Sequence, residues 1–124
     1  MRVLVLACAA AVATLSCGSG STGLAELRAR GELRVATLNQ PTAYYLGAQG
    51  PQGFEYRLAR AFADSLGIQL IIVPARDRTG LRELLAEGSV DIAAAQLTVN
   101  ESWKRAGLAT TTYQEIQQLV VQRR

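Results

Sequence analysis

The chain has 124 residues, of which 49% are hydrophobic and 19% charged, and its formal net charge is only +3. Because this charge includes no long basic run, the composition does not favour nucleic-acid binding. The sequence contains no histidine and two cysteines, which excludes imidazole catalysis, histidine-ligated metals and a disulfide framework. We therefore predict a small domain with no metal site, no cofactor and no nucleic-acid partner.

Residues 1–16 predict a secretion signal. Arg2 precedes an apolar stretch over residues 3–15, which is shorter than the ~20 residues that a membrane-spanning helix requires. Ser16 and Cys17 then resemble a lipoprotein processing site, so we expect Cys17 to be the lipidated mature N-terminus; ordinary signal cleavage is the alternative. Residues 17–23 predict a Gly/Ser tether. By resemblance to bacterial sorting, we expect a lipid anchor in the membrane, facing the periplasm, and the outer membrane as its destination.

A short helix and a strand follow the tether. Residues 24–30 predict an amphipathic helix that ends at Gly31, and residues 32–38 have the composition of a strand. Residues 39–42 then predict a loop, because Asn and Pro interrupt the strand pattern. The folded domain is therefore expected to begin near residue 24.

Residues 54–66 predict the most clearly bounded helix of the chain. Gly53 precedes it, Glu55 places a negative charge in its first turn, and Gly67 can end it in the left-handed conformation. One face is expected to be buried and carries Phe54, Leu58, Ala59, Phe62, Ala63 and Leu66. Residues 68–73 form a β-branched run closed by Pro74, which predicts a strand buried on both faces.

A third helix is predicted to start at Asp77 or Thr79 and to end at Gly88, before a strand over residues 90–95. Strands that alternate with helices predict an α/β fold with a parallel sheet and right-handed crossovers. Ligands of such sheets bind at the carboxyl ends of the strands. Two loops therefore become candidates for a binding site, residues 38–45 and residues 96–103.

Four stretches resemble a known family when they are taken in order: residues 30–37, the pair Tyr44 and Tyr45, residues 53–56 with the helix behind them, and residues 117–120. They are similar to the first lobe of the family 3 periplasmic solute-binding proteins, and within that family to the non-catalytic N-terminal domain of the lytic murein transglycosylase F group. The resemblance implies the first lobe of a periplasmic-binding-protein type II fold over residues 24–124. It also implies that a second lobe, and a C-terminal catalytic domain, are missing from this chain; a natural lone lobe is the alternative.

The resemblance, together with the strand-end rule, selects candidate ligand-binding residues. They are Asn39, Tyr44, Gln96, Thr98 and Trp103. In amino-acid receptors of the family, the position of Tyr44 covers the ligand, and the position of Thr98 donates a hydroxyl group to its carboxylate. Trp103 stands where those receptors carry an Arg that binds the same carboxylate, so this chain lacks that contact. Ordinary packing of Tyr44 and helix capping by Thr98 are the alternatives.

The sequence shows no catalytic group of residues, so we predict no enzyme activity for this chain. By resemblance, the murein-cleaving glutamate of the transglycosylases belongs to a separate C-terminal domain. The predicted function is a non-catalytic solute-binding domain for a small polar ligand, such as an amino acid or a peptidoglycan fragment. The alternatives are the receptor of an amino-acid ABC transporter and a cyclohexadienyl dehydratase-like enzyme on the same scaffold.

Overall fold

The computed structural model describes residues 23–115 and residue 122. The predictions for residues 1–22, which include the lipidation of Cys17, and for residues 117–120 lie outside the described residues. In chain order the elements are α1 (Leu24–Arg30), β1 (Glu32–Leu38), β2 (Tyr45–Gly47), β3 (Gly50–Gln52), α2 (Phe54–Leu66), β4 (Gln69–Ala75), α3 (Arg78–Ala86), β5 (Ile92–Ala93) and α4 (Glu101–Ala106).

The central sheet is parallel and has the strand order β4–β1–β5. β1 aligns Val35 with Ile72 of β4 on one side and with Ile92 of β5 on the other. Leu33 and Val35 face a core formed with α1 and α2, whereas Ala36 belongs to a second core formed with α3. The predicted α/β fold, a parallel sheet flanked by helices, is therefore confirmed.

Local signals set several boundaries as predicted. α1 ends at Gly31 with φ 77°, and α2 ends at Gly67 with φ 69°. α3 begins at Asp77, whose side chain accepts a hydrogen bond of 2.8 Å from the Gly80 N–H. Within the described part of the chain, no helix is long and apolar enough to cross a membrane.

One burial prediction is wrong, and a second is correct only in part. β4 is half-buried rather than buried on both faces, because it lies at the edge of the described sheet, where Pro74 can continue the strand. In α2 the large side chains of Phe54, Leu58 and Phe62 keep 46%, 48% and 39% of their surface exposed. On the predicted face, Ala63 is buried and Ala59 packs against the same core, because small side chains allow the helix to approach the sheet closely. Glu55, which is not part of that face, is buried as well.

A short hairpin between β1 and α2 was not predicted. β2 and β3 pair antiparallel, with Tyr45 opposite Gln52, and the Tyr45 hydroxyl donates to Gln52 Oε1 over 2.9 Å. The hairpin connects the loop that follows β1 with the first turn of α2.

Candidate ligand-binding site

The two candidate loops lie at the same edge of the sheet. Asn39 follows the last residue of β1, and Gln96 follows shortly after the end of β5. Because β1 and β5 are parallel neighbours in the sheet, their carboxyl ends point to one edge. The structure therefore brings Asn39 and Tyr44 of the first loop to the same edge as Gln96 and Thr98 of the second.

The first loop is fastened to the start of α2 by backbone contacts. The N–H groups of Phe54 and Tyr56 donate to the carbonyls of Thr42 and Ala43, each over 3.1 Å. At Gly53, which has φ 130°, a Cβ atom would lie 2.2 Å from the Ala43 carbonyl oxygen. Only glycine permits this approach, and so Gly53 fixes the path of the loop.

The two predicted ligand residues of this loop differ in their surroundings. Asn39 is exposed to solvent. Tyr44 is half-buried, and its ring meets that of Tyr56 edge-on at 5.8 Å. The Tyr44 ring therefore contributes to packing on α2, as the alternative interpretation expected, and its role in ligand binding stays a prediction.

The second loop is held by a side chain of α2. Gln96 has φ 50°, and its N–H donates to Glu55 Oε1 over 2.8 Å. Ala95, just before it, is buried in the core, whereas Thr98 is exposed. The exposure of Thr98 leaves its side chain accessible to a ligand.

Trp103 lies in α4 and faces α3. Its side chain is half-buried against the core cluster that contains Leu81, and the Arg82 guanidinium lies 6.0 Å from the centre of its ring. Asn100 caps this helix by accepting from the N–H groups of Ser102 and Trp103, over 3.1 and 3.2 Å. Trp103 thus has a packing role, and the cation beside its ring comes from a different helix.

Glu55 and Tyr113 were not predicted as part of this region. Glu55 is only 3% exposed, and the Tyr113 hydroxyl donates to its Oε1 over 2.5 Å. Partial burial and this hydrogen bond raise the pKa of Tyr113 to about 12. The sequence placed Glu55 in the first turn of α2, but nothing in it indicated that this carboxylate is buried beside a strand end.

Two grooves flank the candidate site without containing it. One, of about 430 Å³, lies between the hairpin and the start of α2 and is lined by Thr42, Tyr45 and Phe54, among others. The other, of about 490 Å³, lies at the end of β4 beside Asp77. Neither is lined by any of the predicted ligand residues. Asn39 and Thr98, which are exposed, lie outside both grooves.

Comparison with known families decides the assignment of this domain. Residues 33–124 match the model of the bacterial extracellular solute-binding proteins, family 3. This chain belongs to that family. A curated relative is the membrane-bound lytic murein transglycosylase F of Vibrio cholerae serotype O1, which is 44% identical over 98 residues. That alignment covers 79% of this chain but only 18% of the relative, so this family 3 chain spans about a fifth of the transglycosylase's length.

Solved structures of amino-acid-binding proteins share the fold. An ancestral cationic amino-acid solute-binding protein is 32% identical with a TM-score of 0.59, over 66% of this chain and 36% of that one. The arginine-bound form of domain 1 from TmArgBP is 29% identical with a TM-score of 0.58, over 64% of both chains. The described fold therefore matches a first lobe that has been crystallised with an amino acid.

Proposed function

We propose that this chain is the non-catalytic solute-binding lobe of a lipoprotein similar to lytic murein transglycosylase F. It binds a small polar ligand, an amino acid or a peptidoglycan fragment, at the carboxyl edge of its sheet. The observation that carries the proposal is the arrangement of the two strand-end loops. Both are bonded to the first turn of α2, which leaves Asn39 and Thr98 exposed on one edge.

The 44% sequence identity to a lytic murein transglycosylase supports a peptidoglycan fragment as the ligand. Trp103 supports it too, because this position carries no cation that could bind the carboxylate of a free amino acid. An amino-acid receptor is the second candidate. The similarity to the arginine-bound domain 1 of TmArgBP favours it.

Isothermal titration calorimetry separates the two candidates. The purified 124-residue chain is titrated with L-arginine and with an anhydro-muropeptide as probes. Replacement of Thr98 by Val removes the exposed hydroxyl group and is expected to weaken binding by roughly tenfold, the value of one hydrogen bond to a charged group. Thr111→Val is the matched control, because Thr111 is also exposed but lies outside both loops.

If the chain binds only the muropeptide, the result supports a peptidoglycan-binding lobe. If it binds only arginine, the result supports an amino-acid receptor. Equal effects of Thr98→Val and Thr111→Val would contradict the placement of the site. The non-catalytic part is tested separately with murein sacculi, from which the chain is expected to release no soluble muropeptide above a boiled control. The lipid anchor is tested by labelling with a radioactive fatty acid, which Cys17→Ala is expected to abolish.

A further inference from the structure

A single buried carboxylate connects the second loop to two other parts of the lobe. Glu55 lies in the first turn of the 13-residue helix α2 and is 3% exposed. Its Oε1 atom accepts from the Gln96 N–H at 2.8 Å and from the Tyr113 hydroxyl at 2.5 Å. A charge at the start of a helix does not need to be buried to interact with the helix dipole. The burial of Glu55 therefore calls for another explanation.

The backbone of Gln96 supplies that explanation. Among the described residues, Gln96 is the one residue other than glycine with a positive φ, 50°. A non-glycine residue keeps this conformation only where its surroundings enforce it. The bond from its N–H to Glu55 is such a restraint, and it acts two residues before the exposed Thr98.

Tyr113 connects the same carboxylate to the segment that follows α4. Residues 107–115 form neither helix nor strand, yet the Tyr113 ring lies 6.0 Å from that of Phe54. The Tyr113 hydroxyl and the Gln96 N–H share one acceptor atom, Glu55 Oε1. A displacement of Tyr113 therefore acts on the atom that restrains Gln96.

We propose that Glu55 is a positioning residue that holds residues 96–98 in their binding conformation and couples this loop to the segment that carries Tyr113. The ligand-related part rests on the proposed function, because it requires that Thr98 contacts the ligand. The structural part, which is that Glu55 restrains Gln96 and couples it to Tyr113, does not depend on the proposed function. Movement of residues 107–115 changes the conformation of residues 96–98, and ligand binding at residues 96–98 changes the mobility of the Tyr113 side chain.

Amide hydrogen exchange, measured residue by residue with NMR on the full chain, tests the structural part. Glu55→Ala is expected to speed exchange of the Gln96 amide by roughly 10- to 100-fold, the factor that corresponds to losing a hydrogen bond to a charged acceptor. Glu55→Gln retains a side-chain oxygen and is expected to restore most of the protection. Glu26→Ala is the matched control, because Glu26 is an exposed acid in the first turn of α1.

The coupling is tested with Tyr113→Phe, which removes the hydroxyl group but keeps the ring beside Phe54. Faster exchange at Gln96 in this variant supports the coupling, and exchange equal to wild type overturns it. Equal exchange at Gln96 in Glu55→Ala and Glu26→Ala overturns the positioning role itself. If Glu55→Ala does not fold, Glu55→Gln and Tyr113→Phe still decide the question, because the first retains the buried volume of Glu55 and the second changes only a half-exposed side chain.

Titration with L-arginine separates this proposal from the proposed function. If wild type binds arginine, Glu55→Ala is expected to weaken binding by roughly tenfold while Glu55→Gln restores it. If wild type does not bind arginine, the arginine arm of the proposed function fails, and the exchange rates still support or overturn the role of Glu55.

Discussion

Replacement of Gly53 by Ala should be among the most damaging single-methyl changes in this lobe. The backbone at Gly53 has φ 130° and ψ 155°, a region that is essentially restricted to glycine and costs other residues about 1–3 kcal/mol. The new Cβ would also lie 2.2 Å from the Ala43 oxygen and 2.6 Å from the Ala43 carbonyl carbon, both backbone atoms. Relieving such a contact costs about 1–3 kcal/mol more.

Together the two effects predict a loss of about 4 kcal/mol in the free energy of unfolding, a large part of the ~5–15 kcal/mol of a typical domain. Gly67→Ala is the matched control. Gly67 also has a positive φ, 69°, but a Cβ there meets nothing within 4 Å. Only the left-handed conformation opposes this substitution, at about 1 kcal/mol.

Urea denaturation followed through the fluorescence of Trp103, the one tryptophan of the chain, measures both variants. A difference of about 3 kcal/mol between them is expected from the structure, since the open Gly67 site lacks the steric part. If Gly53→Ala and Gly67→Ala lose the same stability, the loop does not run against the start of α2 as described. The position of Asn39 and Tyr44 at the sheet edge would then lose its physical basis.

Two further predictions concern single side chains. Trp103→Arg should lower the free energy of unfolding by about 2 kcal/mol, because it removes half-buried packing and places a second guanidinium beside Arg82. Urea denaturation measures this loss, and Trp103→Phe, which keeps an aromatic ring, should lose less stability. The pKa of Tyr113 is raised from 10.0 to about 12. Its contact with Glu55 therefore stabilises the fold fully below pH 10, and this stabilisation is lost as the pH rises to about 12. The difference in unfolding midpoint between wild type and Tyr113→Phe should therefore shrink over that range, and a constant difference would contradict the assignment.

The sequence was sufficient for elements whose signals are local. α1 and α2 end at the glycines that the pattern selected, Gly31 and Gly67, because a left-handed cap depends on a single residue. The sequence allows either Asp77 or Thr79 as the start of α3. The structure decides for Asp77, since its side chain reaches the Gly80 N–H.

Features that depend on contacts between residues far apart in the sequence could not be predicted from local patterns. The run of residues 68–73 is as apolar as a central strand, and only the strand order shows that β4 lies at the edge of the described sheet. The apolar arc of α2 is wider than the part that contacts the sheet. Periodicity therefore could not tell that Ala63 is buried while Leu58 is half exposed.

The same limit applies to the candidate site. The strand-end rule selected both loops, because it follows from topology alone. Glu55 was interpreted as a charge that favours the helix dipole, since a local pattern contains nothing about Gln96, 41 residues further along the chain. Burial of a carboxylate is visible only once the fold brings its hydrogen-bond donors to it.

The first turn of α2 holds both strand-end loops at this edge of the sheet. The N–H groups of Phe54 and Tyr56 hold the loop after β1, and the carboxylate of Glu55 holds the loop after β5. Gly53 supplies the close approach that the first of these contacts needs. Three consecutive side chains therefore have different structural roles. Phe54 contacts the ring of Tyr113, Glu55 is a buried hydrogen-bond acceptor, and Tyr56 packs against Tyr44. Replacement of Glu55 removes the contact to the loop after β5 but leaves the backbone contacts to the loop after β1, so its effect on ligand binding should be about as large as that of Thr98→Val.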